Sequence, residues 1–143
     1  MKATEYLASC IVLPMVEGMD IDEAMIRLVN RLALTREDKR TVHLVGNGGS
    51  ASIVAHAQND LVKACGIKAM VYQDVPLLTA FANDRSYAKS YCDALSIWLD
   101  EEDVLIVVSS SGASVNLLNA VQVAEDIGAT IVTLTGFAPD NPL

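Results

Sequence analysis

Residues 41–57, TVHLVGNGGSASIVAHA, constrain this chain more than any other stretch. A short apolar strand carrying Val42, Leu44 and Val45 runs into Gly46-Asn47-Gly48-Gly49-Ser50 and then into a helical pattern. Glycine admits positive φ and leaves no Cβ between the backbone and a ligand. Ser50 or a neighbour would cap the helix, whose free N–H groups and dipole then favour an anion in the turn. The device recurs. Asp103–Val108 is a second buried-type strand, followed by Ser109-Ser110-Ser111-Gly112-Ala113-Ser114 and another helix. A glycine-rich and a serine-rich loop of this kind suit one phosphorylated ligand held between them.

The strands at 42–45, 67–72, 104–108 and 129–135 alternate with helical segments at 50–65, 75–81, 87–99 and 114–127. Such alternation implies right-handed crossovers and a doubly wound parallel α/β sheet flanked by helices. Ligands of these sheets bind beyond the carboxyl ends of the strands, which is where both loops fall. Ile53, Ala57, Leu61 and Ala64 would form one buried stripe, and Val115, Leu118, Val121 and Val123 another. Tyr87, Tyr91, Ala94, Leu95 and Trp98 share a helical side and read as core or subunit contact, and Ala82-Asn83-Asp84 reads as a turn. Ahead of the first strand lie a helix over 3–13 and a second that starts at the capping box of Asp20 and Glu23. Ile21, Ala24, Met25, Leu28, Val29 and Leu32 give the second an apolar stripe to about Leu34, before a solvated connector at 35–40. Chain order reserves no sheet face for these two helices, so packing across the domain or against another copy is expected. The chain thus reads as one domain, 1–143, with a helical segment at 1–36 and a βα core at 41–136. It stops directly after a strand, so a further strand and helix are expected beyond it.

Several functions are disfavoured at once. The formal charge of −8 and the lack of a basic face argue against nucleic acid. No apolar run approaches the roughly 18–20 residues that span a bilayer, and Glu5 and Glu17 spoil the start as a secretory signal, so a cytoplasmic location is expected. Cys10, Cys65 and Cys92 form no C-x-x-C pair and read as inert thiols. The first loop lacks the Lys-Ser/Thr ending of a nucleotide-triphosphate loop. It does fit G-x-G-x-x-A through Gly46, Gly48 and Ala51, with Asp74 where a dinucleotide fold places its ribose-binding acid. Dinucleotide binding is therefore a competing reading, although such a fold has no need of the serine-rich loop.

Ser109, Ser110, Ser111 and Ser114 bring up to four hydroxyls to the start of a helix, and such donors suit a phosphate dianion without lysine or arginine. On the helix after the glycine loop, Ser52, His56, Asp60 and Lys63 fall on one polar face. His56 and Asp60, one turn apart, could hold zinc, act as a proton-transfer pair, or simply be solvated. His43, inside the first strand, reads as a packed, hydrogen-bonded histidine.

The ordered set GNGGSAS, AH, DL, LLTAFAND, DVLIVVSSSGAS and GATIVTLTG resembles the sugar isomerase (SIS) domain. Within that family it is most similar to the phosphoheptose isomerases, which act on sedoheptulose 7-phosphate. The resemblance implies a flavodoxin-like sheet, phosphate on Ser109, Ser110, Ser111 and Ser114, and a sugar lined by Asn47, Gly48 and Ser50. Asn83 and Asp84 would contribute from the next turn. His56 matches a histidine that binds zinc in some of these isomerases, and Asp60 stands where they carry a catalytic glutamate. Ala64 stands where an arginine is common, beside Lys63. The family's other acid/base histidine and a metal-binding glutamine come from a C-terminal helix beyond this sequence. The implied activity is conversion of sedoheptulose 7-phosphate to D-glycero-D-manno-heptose 7-phosphate, which supplies heptose for a surface glycan. Asp60 would be the base and zinc on His56 and Asp60 the one cofactor, with no organic group, in a homo-oligomer expected to be a tetramer. The alternative is a non-catalytic SIS module that senses a phosphosugar or binds a protein partner. The aspartate in place of glutamate favours it.

Overall fold

A computed structural model describes residues 2–8 and 19–143. Two units are distinguished, 1–31 and 32–143. Helix α1 spans Ala3–Ala8; the rest of the helix expected over 3–13, and Cys10, lie outside the described residues. Helix α2 spans Ile21–Glu37 and starts as the sequence predicts, with the Asp20 carboxylate accepting from Glu23 N at 2.8 Å. It runs three residues past the expected end at Leu34. Thr35, which the sequence placed in a solvated connector, is buried.

The second unit continues with β1 (Thr41–Gly46), α3 (Gly49–Lys63), β2 (Lys68–Val71) and α4 (Val75–Asp84). A 3-10 turn at Tyr87–Lys89 leads to α5 (Cys92–Trp98), β3 (Val104–Ser109), α6 (Val115–Ile127) and β4 (Thr130–Thr135). The strands form a single parallel sheet in the order β2-β1-β3-β4, with Val42 of β1 opposite Ala69 on one side and Val104 on the other. The chain leaves β1 toward one edge and later crosses to the other, so the loops after β1 and β3 diverge at a switch in strand order. The expected α/β class and both loop positions are observed.

Alternation along the strands sorts the core into two faces. Val42, Leu44, Val104 and Ile106 meet Val54 of α3 and Ile67, with Leu32, Ala57 and Leu61 packed at the margin. On the opposite face Val45, Leu105 and Val107 meet Tyr91, Ala94 and Leu95 and, from α6, Leu117, Ala120 and Ala124. Full burial of a Val or Leu side chain is worth about 1.5–3 kcal/mol, so these two layers carry most of the stability.

Three stripes differ from the sequence expectation. On α3 the fully buried residue is Val54, whereas Ile53 is 58% exposed and Ala64 is also exposed. The helix begins at Gly49, and that start turns 54, 57 and 61 toward the sheet. On α6 the buried residues are Asn116, Leu117, Ala120 and Ala124, and Val115 faces solvent. The segment 87–99 is no continuous helix: the 3-10 turn and α5 are separate, and Tyr87 and Trp98 are about half exposed. Ala82-Asn83-Asp84, read as a turn, is the last turn of α4.

Candidate functional site

The glycine loop owes its shape to two residues. A Cβ on Gly46 would lie 2.9 Å from the Ser50 carbonyl carbon, so only glycine permits this close reversal of the chain. Gly48 has φ +53° and ψ −121°, a region that side chains rarely enter, and it is the N-cap of α3. No side chain caps that helix, so the expected Ser50 cap is not formed. Ser50 instead donates its backbone N–H to the Asn47 carbonyl at 3.0 Å. Its hydroxyl has no partner among the described residues and faces a cavity.

That cavity, of about 170 Å³, lies between the two loops. Asn47, Ser50, Ser109, Ser110, Ser111 and Ser114 line it, with Val108, Leu117 and Phe137 as apolar walls. Its size is below the roughly 300–1,000 Å³ usual for larger ligands, which suits a phosphate and a few attached atoms better than a dinucleotide. The hydrogen bonding of the serines gives it a sign. Ser109 Oγ accepts from Gly112 N at 3.1 Å and Ser111 Oγ from Ala113 N at 3.3 Å. Each oxygen is thus engaged as an acceptor, while its proton remains to be donated. Ser114 is the N-cap of α6 but makes no side-chain cap bond, leaving hydroxyl and helix N–H groups together at the cavity edge. A lining with unspent hydroxyl protons and helix N–H groups suits an anion.

Sequence reasoning missed the residues that hold the glycine loop. Asn47 and Asn116 exchange two side-chain bonds of 2.9 Å, each amide donating to the other's oxygen. Tyr87 donates to the same Asn47 Oδ1 at 2.9 Å, and Tyr91, one turn on, donates to the Gly46 carbonyl at 2.8 Å. Burial, and secondarily the Tyr87 hydroxyl, pushes the Tyr91 hydroxyl up to about 12. The sequence pattern marks both tyrosines only as core or subunit contact. The available signal was an asparagine, Asn116, in phase with the buried positions Ala120 and Ala124.

The remaining expected site residues lie elsewhere. His56 and Asp60 do come together, Nε2 to Oδ2 at 3.4 Å, but on an exposed face of α3 and outside the cavity lining. Asn83 and Asp84 also lie outside it, with Asn83 Nδ2 donating to Asp84 Oδ1 at 2.8 Å. Zinc takes three or four protein ligands, and among the described residues no group of three or more His, Cys, Asp or Glu is placed to hold a metal ion. The His56–Asp60 pair alone does not make a zinc site. Asp74 is the N-cap of α4, accepting from Leu77 N at 3.0 Å, and lies outside the cavity lining.

A profile of the SIS domain matches residues 15–136. The chain belongs to the SIS domain family. The phosphoheptose isomerase of one Helicobacter pylori strain is 34% identical over 122 residues, which cover 81% of this chain and 64% of that protein. The phosphoheptose isomerase of Sulfurimonas denitrificans is 36% identical over 111 residues, 73% of this chain and 56% of that one. A solved phosphoheptose isomerase from Francisella tularensis matches with a TM-score of 0.76 at 28% identity, over 80% of this chain and 62% of its own. This SIS domain therefore spans less than two thirds of each relative. His43, as expected, is a packed histidine of the SIS core, 1% exposed and hydrogen-bonded through both ring nitrogens.

Proposed function

We propose that this SIS domain binds a phosphorylated sugar between its two loops and serves in the isomerisation of sedoheptulose 7-phosphate to D-glycero-D-manno-heptose 7-phosphate. The donor-rich cavity of Ser109, Ser110, Ser111 and Ser114 at the start of α6 is the observation that carries the reading. The names of the relatives support the substrate. In this reading the serines hold the phosphate, Asn47, Gly48 and Ser50 meet the sugar, and Asn83 and Asp84 contribute where the sugar leaves the cavity.

Aldose–ketose isomerisation moves a proton between adjacent carbons while an enediolate is stabilised. Asp60 is the proposed base and His56 its neighbour on α3. Zinc would take these two as ligands and would need further donors from outside the described residues. No organic cofactor is required by proton transfer. Both residues are exposed, so in this reading a neighbouring copy closes the active site, in a homo-oligomer of tetramer type. The exposed Met25, Ile26 and Val29 on α2 supply apolar surface for assembly. No described helix is long and apolar enough to cross a membrane, and a cytoplasmic location fits the proposed substrate. The position of His56 and Asp60 outside the cavity lining favours, as a second reading, an SIS module that binds the phosphosugar without turning it over.

Thermal-shift titration with sedoheptulose 7-phosphate separates these readings. A ligand specific for the folded state adds about 2.7 kcal/mol at a hundredfold excess over its dissociation constant. A saturable shift with turnover, and a loss of at least about 10²-fold in turnover but not binding on Asp60→Asn, is the expected outcome. Binding without turnover would select the sensing reading. Undiminished turnover in Asp60→Asn would remove Asp60 as base, and no shift at all would sink both readings.

A further inference from the structure

Given the phosphosugar site proposed above, we infer that Tyr87 and Asn116 are positioning residues for Asn47, fixing its amide so that it can only donate into the cavity. The oxygen of a carboxamide accepts two hydrogen bonds and its nitrogen donates two. Asn47 Oδ1 is filled by Tyr87 Oη and Asn116 Nδ2, each at 2.9 Å. One Asn47 N–H is spent on Asn116 Oδ1 at 2.9 Å. One N–H remains, on a residue that lines the cavity. Rotating the Asn47 amide alone by half a turn would confront oxygen with oxygen and nitrogen with nitrogen across the pair, and rotating both amides together would take the acceptor from the Tyr87 proton. In this orientation the remaining N–H selects an acceptor oxygen on the ligand, a sugar hydroxyl or carbonyl next to the phosphate.

The parts of the clamp come from three places in the chain. Asn47 follows β1, Asn116 lies in the first turn of α6 and is 3% exposed, and Tyr87 opens the 3-10 turn. Asn119 Nδ2 donates to the Ala88 carbonyl at 2.9 Å, which holds that turn on α6. The clamp thus ties the loop assigned to the sugar to the helix start assigned to the phosphate. Tyr91 holds the Gly46 carbonyl independently, so loss of the Tyr87 hydroxyl leaves the loop backbone anchored.

Tyr87→Phe is the cleanest variant, because the ring is half exposed and only one hydroxyl is lost. Titrations of the full chain with sedoheptulose 7-phosphate and with inorganic phosphate would be compared. We expect affinity for the sugar phosphate to fall roughly threefold to tenfold, about one hydrogen bond, with inorganic phosphate unchanged. In an Asn47→Ala background the same substitution should have no further effect, since Tyr87 acts through Asn47. Equal losses for both probes would indicate general loosening and overturn the inference. So would an unchanged sugar-phosphate affinity, or a loss that persists without Asn47. A wild-type protein that binds neither probe would instead overturn the phosphosugar site itself.

Discussion

Asp103, just before β3, and Ser109, which ends it, are both polar and almost fully buried, yet they are satisfied in opposite ways. Asp103 Oδ1 accepts from Thr41 N at 2.8 Å, and Oδ2 accepts from Asp100 N at 3.0 Å and from His43 Nε2 at 3.1 Å. With Nε2–H committed to the carboxylate, His43 Nδ1 accepts from Tyr72 Oη at 2.5 Å. Every strong donor and acceptor in that cluster is used inside the protein. At Ser109 one lone pair accepts from Gly112 N and the proton is left over. A closed polar cluster holds a fold together; a cluster with unspent donors is prepared for a ligand. Six residues of strand, about 20 Å, separate the two ends.

The contrast can be broken most severely at the closed end. Asp103→Ala would strand three donors in the interior, and we expect a loss of about 3–5 kcal/mol in urea unfolding. A loss below about 1 kcal/mol would show that the cluster is dispensable. Acid should probe the same end more gently. Burial lowers the His43 pKa below its ordinary 6.5, outweighing the Asp103 carboxylate that raises it. As pH falls below 6.5 the unfolded chain takes up a proton that the folded chain refuses, so stability drops until the folded pKa is passed. The slope is up to about 1.4 kcal/mol per pH unit, and His43→Gln should flatten it in unfolding curves collected between pH 7 and 5. An unaltered slope would place the titration on other groups. The smallest stability effect belongs to the open end. Ser109→Ala strands one donor, the Gly112 N–H, where Asp103→Ala strands three, so it should cost only about 1 kcal/mol while lowering phosphosugar affinity roughly threefold to tenfold by calorimetry. The reverse pattern would make Ser109 a structural residue like Asp103.

What the sequence made legible follows the same division between local and distant causes. The strands, the two loops and the Asp20 cap are written in neighbouring residues, and the parallel α/β sheet follows from their alternation. The serines of the second loop could be named because they are adjacent in the chain. The Asn47–Asn116 pair spans 69 positions and the Tyr87 bond 40, so no local pattern announces them. Ile53 and Val115 were misplaced because a helix's phase is set by where its first turn is fixed, and that depended on loop geometry at Gly48 and Ser114. Whether His56 and Asp60 face a ligand depends on what surrounds α3, which their spacing does not encode.

The clamp on Asn47 also bears on how the protein ages. Asn47 is followed by Gly48, and an asparagine before glycine deamidates readily when its side-chain carbon swings onto the next backbone nitrogen to close a succinimide ring. That closure requires the amide to leave its place and approach in line. Three hydrogen bonds hold it back. The residue assigned to the sugar is thereby protected from the chemistry its own neighbour invites, and its lifetime as an asparagine is set by two side chains far away in the sequence.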